Sequence, residues 1–421
     1  MVGLNHRFES GLQLDLSATI ELVHVLKKGD HLCLKKLQIL PDDVIHGNPQ
    51  MMEFLQQSGG KILTVNDFTS GYHEIIVPKS IVKEVFLESY QYIYKSEMSG
   101  TCSDAQKITE LNSAALGTLL MTPVDTTALD IYWNTLLRMG TDVRTLCENY
   151  FLLGSYLTCN YDKCNKSSCL WQLFKKLHCI LLPLLNQNDV CETTHCSLKG
   201  MTVDSMVERG NVRFLDLSAI RICLDSITVH PRNYYASTAL RFFIGTIGDI
   251  ATKKMAILLI IDHLSSESDD YSIWLSLADA LIDCKFKIFD YQREDGARLG
   301  LRKIKDDNDI SCIFLTDAYH RMKVIAMRSG SYAGLMALLR LNGRFMIDDV
   351  DLEMAQIIES FEKKHQTVID IRRKDFLHGN ISAKSDGLLK GEFERVYQMK
   401  RVLVMNERLR KFSKNPGVGS G

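Results

Sequence analysis

Proline is nearly absent from this chain: seven occur in 421 residues, so little interrupts helix formation along most of it. Long apolar runs are missing as well. The longest, Met255–Ile261 and Cys179–Leu185, are far too short to span a bilayer. There is no opening stretch with a basic segment followed by an apolar one, so no secretory signal is read. Charge of one sign is lacking too. Fifty Lys and Arg oppose 51 Asp and Glu, a net charge of −1, which argues against a globally cationic nucleic-acid binder. A soluble, cytoplasmic chain with no integral membrane segment is expected.

Cysteine is the exception, with 12 residues. Disulfide scaffolds are short and cysteine-dense, and this chain is neither. Cys159, Cys164 and Cys169 recur at a spacing that suits no common zinc site, and Cys191, His195 and Cys196 lack paired Cys-x-x-Cys elements. No metal is assigned, and the cysteines are read as reduced thiols. No nucleophile elbow and no glycine-rich phosphate loop appears.

The 46% hydrophobic content is enough for a substantial core. Its pattern is helical. Leu217, Ile220, Leu224 and Ile227 recur at three- and four-residue steps, as do Val82, Val85, Phe86, Tyr90 and Ile93. Pro231 then ends the first of these stripes, because it lacks an N–H and drives His230 out of the helical region. From Ala236 to Phe243 a helix can resume. His230-Pro231-Arg232-Asn233-Tyr234-Tyr235-Ala236 is therefore the turn of a helical hairpin. Four further stretches align with it, giving register points at Leu129, Trp171, Ser237, Trp274 and Ile369, and a basic unit of about 35–40 residues. The fold class expected is all-α, an array of antiparallel helical hairpins. Residues 1–75 form an N-terminal segment of unclear packing, 76–412 the hairpin repeat domain, and 413–421, with Pro416 and three glycines, a disordered tail. Convincing strands are scarce. Lys285–Tyr291 alternates too briefly to decide.

The turn Pro231-Arg232-Asn233-Tyr234 resembles the repeat of protein prenyltransferase alpha subunits, whose turns read Pro-Lys/Arg-Asn-Tyr ahead of a tryptophan and two arginines. Arg241 falls on the second basic position. Trp171 flanked by Lys166 and Lys175 resembles a second copy, Tyr271 and Trp274 supply the aromatic pair of another, and Arg372 and Arg373 the basic pair of the last. Leu119-Leu120-Met121-Thr122-Pro123 looks most like a divergent branch that serves in geranylgeranyltransferase type III. The departures are Ser237, Leu129 and Ile369 at the tryptophan position, and Ser167-Ser168 in place of Asn-Tyr after Lys166.

What the resemblance implies is a right-handed superhelical crescent that acts as the alpha subunit of a heterodimeric protein geranylgeranyltransferase. The partner would be a beta subunit of the Rab geranylgeranyltransferase type. Zinc and geranylgeranyl diphosphate would sit in that partner, with no cofactor in this chain. The substrate would be a protein with a C-terminal cysteine, a SNARE by resemblance. Lys166, with Tyr235 as a neutral donor, would contact the diphosphate leaving group. Trp171, Pro231, Asn233, Tyr234, Trp274, Arg372 and Arg373 would have structural roles in the repeats. Read without the resemblance, Lys166 is a solvated loop lysine, Tyr234 a packing residue, and Trp171 and Trp274 core wedges. The alternative function is a non-catalytic helical-repeat scaffold that binds protein partners.

Overall fold

The structure, a computed structural model, describes residues 16–28, 33–57, 61–67, 72–97, 105–140, 142–186, 201–208, 211–267, 270–283, 308–329 and 331–345. Arg372, Arg373, the segment 285–291, the His365–Ile369 turn, the cluster Cys191, His195 and Cys196, and the tail from 413 lie outside these residues. The described chain is mostly helical, with sixteen helices and three strands. It divides into two compact units, Met1–Thr252 and Lys253–Gly421.

The N-terminal segment, whose packing the sequence left open, belongs to the first unit. Helix α1 (Ser17–Lys27) packs on α4 (Lys79–Glu97), α5 (Ala105–Met121) and α7 (Val143–Leu157). The Thr19 N–H donates to Glu88 Oε2 at 3.0 Å, fixing α1 against α4. Between them in sequence runs a small sheet that the all-helical expectation did not contain. Strand β1 (Lys35–Leu40) pairs parallel with β3 (Tyr72–Pro78), and β2 (Leu63–Asp67) pairs antiparallel with β3, giving the order β1-β3-β2. Short helices α2 (Asp42–His46) and α3 (Pro49–Gln57) lie along the chain between β1 and β2. In β3 the fully buried Ile75 and Val77 alternate with half-buried Glu74 and Ile76. Because Ile76 is itself apolar, the sequence shows an apolar run there rather than an alternation, which hides the strand. The exposed side of β1 is closed by Asn160, whose amide accepts from Ile39 N–H at 2.8 Å and donates to Ile39 C=O at 3.0 Å.

Helical hairpins follow. Helix α5 packs on α6 (Thr126–Arg138), α7 on α9 (Ser168–Asn186) with the single turn α8 (Asp162–Asn165) between them, and α11 (Val212–Val229) on α12 (Tyr234–Thr246). The short α10 (Val203–Glu208) packs on α7. Side-chain caps start them: Asp125 accepts from Ala128 N–H, Asp142 from Thr145 N–H and Asn211 from Phe214 N–H. Gly140, at φ +101°, follows the end of α6 in a conformation glycine reaches without a Cβ clash. Their shared core is aromatic. Tyr150 stacks on Phe174 at 4.3 Å, and Phe174 meets Phe243 and Trp171 edge-on at 5.5 and 6.0 Å. One buried polar chain crosses it. Tyr150 Oη lies 3.2 Å from His178 Nδ1, and His178 Nε2 lies 3.1 Å from Asp216 Oδ1, joining α7, α9 and α11.

The second unit holds most of α13 (Ile250–Ser266), with α14 (Tyr271–Asp283), α15 (Asn308–Ser329) and α16 (Tyr332–Phe345). Helix α16 packs on both α14 and α15. Trp274 is fully buried in this unit, as the sequence suggested for a core wedge. The approach requires Gly334: a Cβ there would lie 2.7 Å from Ala326 Cβ and 3.0 Å from the Trp274 ring. Gly334→Ala is therefore expected to destabilise the second unit by about 1–3 kcal/mol, read as an earlier urea transition.

Lys27, at the end of α1, donates to Asn112 Oδ1 at 2.9 Å. Burial, offset in part by the Glu148 carboxylate, lowers its pKa to about 8. A base whose pKa falls on folding holds fewer protons in the native state than in the unfolded one. Between the two values stability then rises with pH. Comparing the protein with Lys27→Met by urea unfolding is expected to show this rise, about 1–3 kcal/mol between pH 8 and 10.5, in the protein alone. Parallel pH profiles would remove Lys27 from the account.

Candidate functional site

Three hairpin turns of the first unit are bonded to one another, and this fixes which side chains project from that edge. The first, Thr122-Pro123-Val124-Asp125, is closed by Asp125 N–H donating to Thr122 C=O at 3.0 Å. Ser167, in the second turn, donates its hydroxyl to Pro123 C=O at 3.2 Å. The second turn is joined to the third by a buried knot of two asparagines. Asn165 Nδ2 donates to Leu157 C=O at 2.6 Å and to Ser226 C=O at 3.3 Å, holding the ends of α7 and α11. Asn233 Nδ2 donates to Asn165 C=O at 3.0 Å, to Asn165 Oδ1, and to Ser226 Oγ at 3.1 Å. The same amide caps α12, with Oδ1 accepting from Tyr235 N–H and Ala236 N–H. Trp171 Nε1 donates to Asn165 C=O at 2.9 Å, so the tryptophan supports the knot as well as filling the core.

The third turn departs from helix as the proline argument requires: His230 has φ −132° and ψ 88°. Arg232 then takes φ +64°, a left-handed conformation costly for a residue with a Cβ. That conformation lets Asn233 turn back into the knot while Pro231 and Arg232 remain exposed.

The residues singled out from the sequence divide clearly. Asn233 and Trp171 are buried and hydrogen-bonded. Tyr234 is 70% exposed and does not pack the hairpin, and Tyr235 is 41% exposed. Their rings meet edge-on at 5.9 Å. Val124, from the first turn, is 65% exposed. Lys166 is exposed and forms an ion pair with Asp162 Oδ1 at 3.6 Å, an oxygen that also faces His230 Nδ1 at 2.5 Å. Lys166 and Tyr235 thus stand on neighbouring turns of one edge. Trp274 belongs to the other unit. Asn165, which holds the second turn, was missed: it lies where the sequence offers only a polar loop, and its partners are 61 and 68 residues away.

Among the described residues no group of three or more His, Cys, Asp or Glu side chains is placed to hold a metal, and seven cysteines are free thiols. Burial pushes the Cys33, Cys164 and Cys223 thiols well above the ordinary range, which keeps them protonated and unreactive.

Residues 170–302 match the model of a family described as ECM9 middle domain, under a third of the chain. No curated protein matches it. This finding corrects the resemblance to prenyltransferase alpha subunits. The turn that carried it, Pro231 to Tyr234, lies inside the matched segment, and the family matched there is another one. A proline that ends a helix and an asparagine that caps the next are what a tight helix–turn–helix needs, whatever its family.

Asparagine and aspartate are normally near-equal helix caps. At position 233 the order is expected to break, because a carboxylate would keep the cap but face the Asn165 and Ser226 acceptors from a buried site. Asn233→Asp should destabilise the first unit by about 2–4 kcal/mol, at least as much as Asn233→Ala, as measured by urea unfolding. A near-neutral aspartate would show that the amide donors contribute little.

Proposed function

We propose that this chain is a non-catalytic helical-hairpin scaffold that binds a protein partner along the turn edge of its first unit. The supporting observation is the bonding of three successive turns through Ser167, Asn165 and Asn233. It holds Val124, Lys166, Tyr234 and Tyr235 outward on a pre-organised edge. Exposed tyrosines beside cations, on a backbone that need not reorder, are the composition and rigidity that protein interfaces favour. In this reading the hairpins stack as a repeat array whose turns line one binding face.

The test is a photo-crosslinking residue at Tyr234, with Val44, 49% exposed elsewhere in the same unit, as the control position. The expected result is a single stoichiometric protein adduct from position 234, none from 44, and loss of the co-purified protein in a Tyr234→Ala, Tyr235→Ala variant. Equal labelling from both positions would end the proposal.

A second reading has one observation in its favour, the placement of Lys166 and Tyr235 on adjacent turns. Here the chain is the alpha subunit of a protein geranylgeranyltransferase, its two side chains meeting the diphosphate leaving group while a beta subunit supplies zinc and the isoprenoid pocket. Asp162 weighs against it. Its carboxylate already pairs with Lys166 and would repel an anion. With the co-purified partner, geranylgeranyl diphosphate and a cysteine peptide, this reading expects prenyl transfer that slows about tenfold or more in Lys166→Ala, association unchanged. No transfer by the intact complex leaves the scaffold.

A further inference from the structure

The face beside the turn edge has an unusual charge. Helix α9 and helix α12 contain no aspartate or glutamate along their whole lengths. They pack directly on each other, Phe174 against Phe243 and His178 against Phe243 at 4.8 Å. Their outer surfaces are joined by Lys175, whose ammonium lies 5.5 Å from the centre of the Phe242 ring. Lys176, the next residue of α9, is exposed and lies over the half-buried Trp133 ring of α6 at 3.4 Å. Lys166 and Arg232, on the turns that lead into α9 and α12, are exposed as well. Of the carboxylates nearby, Asp162 is drawn between Lys166 and His230, Asp125 caps α6, and Asp216 is buried against His178. A chain with a net charge of −1 has no overall excess of cations to explain this surface.

We infer that the partner docks through an acidic segment that runs from the turn edge along the α9–α12 face; this rests on the scaffold reading of that edge. Lys166, Lys175, Lys176 and Arg232 supply the complementary charge, which steers encounter and sets register. Tyr234 and Tyr235 supply apolar contact at the turn end. The cation–π contacts hold Lys175 and Lys176 against ring faces, so less side-chain freedom is lost when they pair. A polypeptide is favoured over nucleic acid because adjoining exposed tyrosines and Val124 offer apolar area that a phosphate backbone does not use.

The experiment uses the full chain and a fluorescent peptide rich in Asp and Glu, with a Gln/Asn counterpart and phosphatidylserine-containing vesicles as the other arms. Fluorescence anisotropy is expected to show binding of the acidic peptide alone, weakening between about 50 and about 200 mM salt. Lys175→Glu with Lys176→Glu should weaken it about tenfold or more. Lys83→Glu on α4 should leave it unchanged, since that exposed lysine lies on another helix. Lys176→Glu alone provides the same test should the double variant fail to fold. Equal binding of the neutral peptide, unchanged affinity in folded variants, or binding to vesicles alone would overturn the inference. Crosslinking from Tyr234 separates the two proposals. An adduct that persists in the charge-reversed chain leaves the edge as an interface and removes the acidic partner, whereas no adduct in the unaltered chain removes the edge itself.

Discussion

The rest of the first unit's architecture depends on a constraint on two amides, Asn165 and Asn233. Both are buried, so every donor and acceptor they carry must find a protein partner. They satisfy one another and, in doing so, tie together Leu157 at the end of α7, Ser226 near the end of α11, the Trp171 indole in α9 and the first N–H groups of α12. Helix ends are where backbone groups lack partners. Here those of several helices are satisfied in one place, so the turns cannot shift independently. The strained Arg232 backbone is tolerated because Asn233 must turn inward immediately after it.

From that constraint the surface follows. Once the turns are locked, the residues between the anchors point to solvent: Val124, Lys166, Pro231, Arg232, Tyr234 and Tyr235. The aromatic core beneath, with Tyr150, Phe174 and Phe243 in contact, keeps α9 and α12 together, so Lys175 of one lies over the Phe242 ring of the other. Interior packing and exterior charge are therefore two consequences of the same helix pairing.

Much of the fold could be read from the residues. The apolar stripes Leu217 to Ile227 and Val82 to Ile93 are short-range signals, and so is the stop at Pro231, whereas the caps at Asp125, Asp142, Asn211 and Asn233 emerged with the structure. The small sheet escaped because its strands pair across long separations and β3 carries an apolar run rather than an alternation. The family resemblance failed for a related reason: a helix stop followed by a cap is local physics shared by many hairpins, and it carries little family information. Lys166 was noticed and Asn165 beside it was not, although Asn165 holds the turn. A hydrogen bond to a residue 68 positions away leaves no local pattern.

By itself the sequence determined that the chain is mostly helical, where several hairpins turn, and that Trp171 and Trp274 are core, because periodicity and helix stops act over a few residues. The tertiary structure decided which turns touch, that Tyr234 faces solvent instead of the hairpin, and that the acid-free helices α9 and α12 lie side by side. These depend on contacts between residues far apart in the chain. Such contacts form only when burial of the aromatic core and satisfaction of the buried amides select one packing.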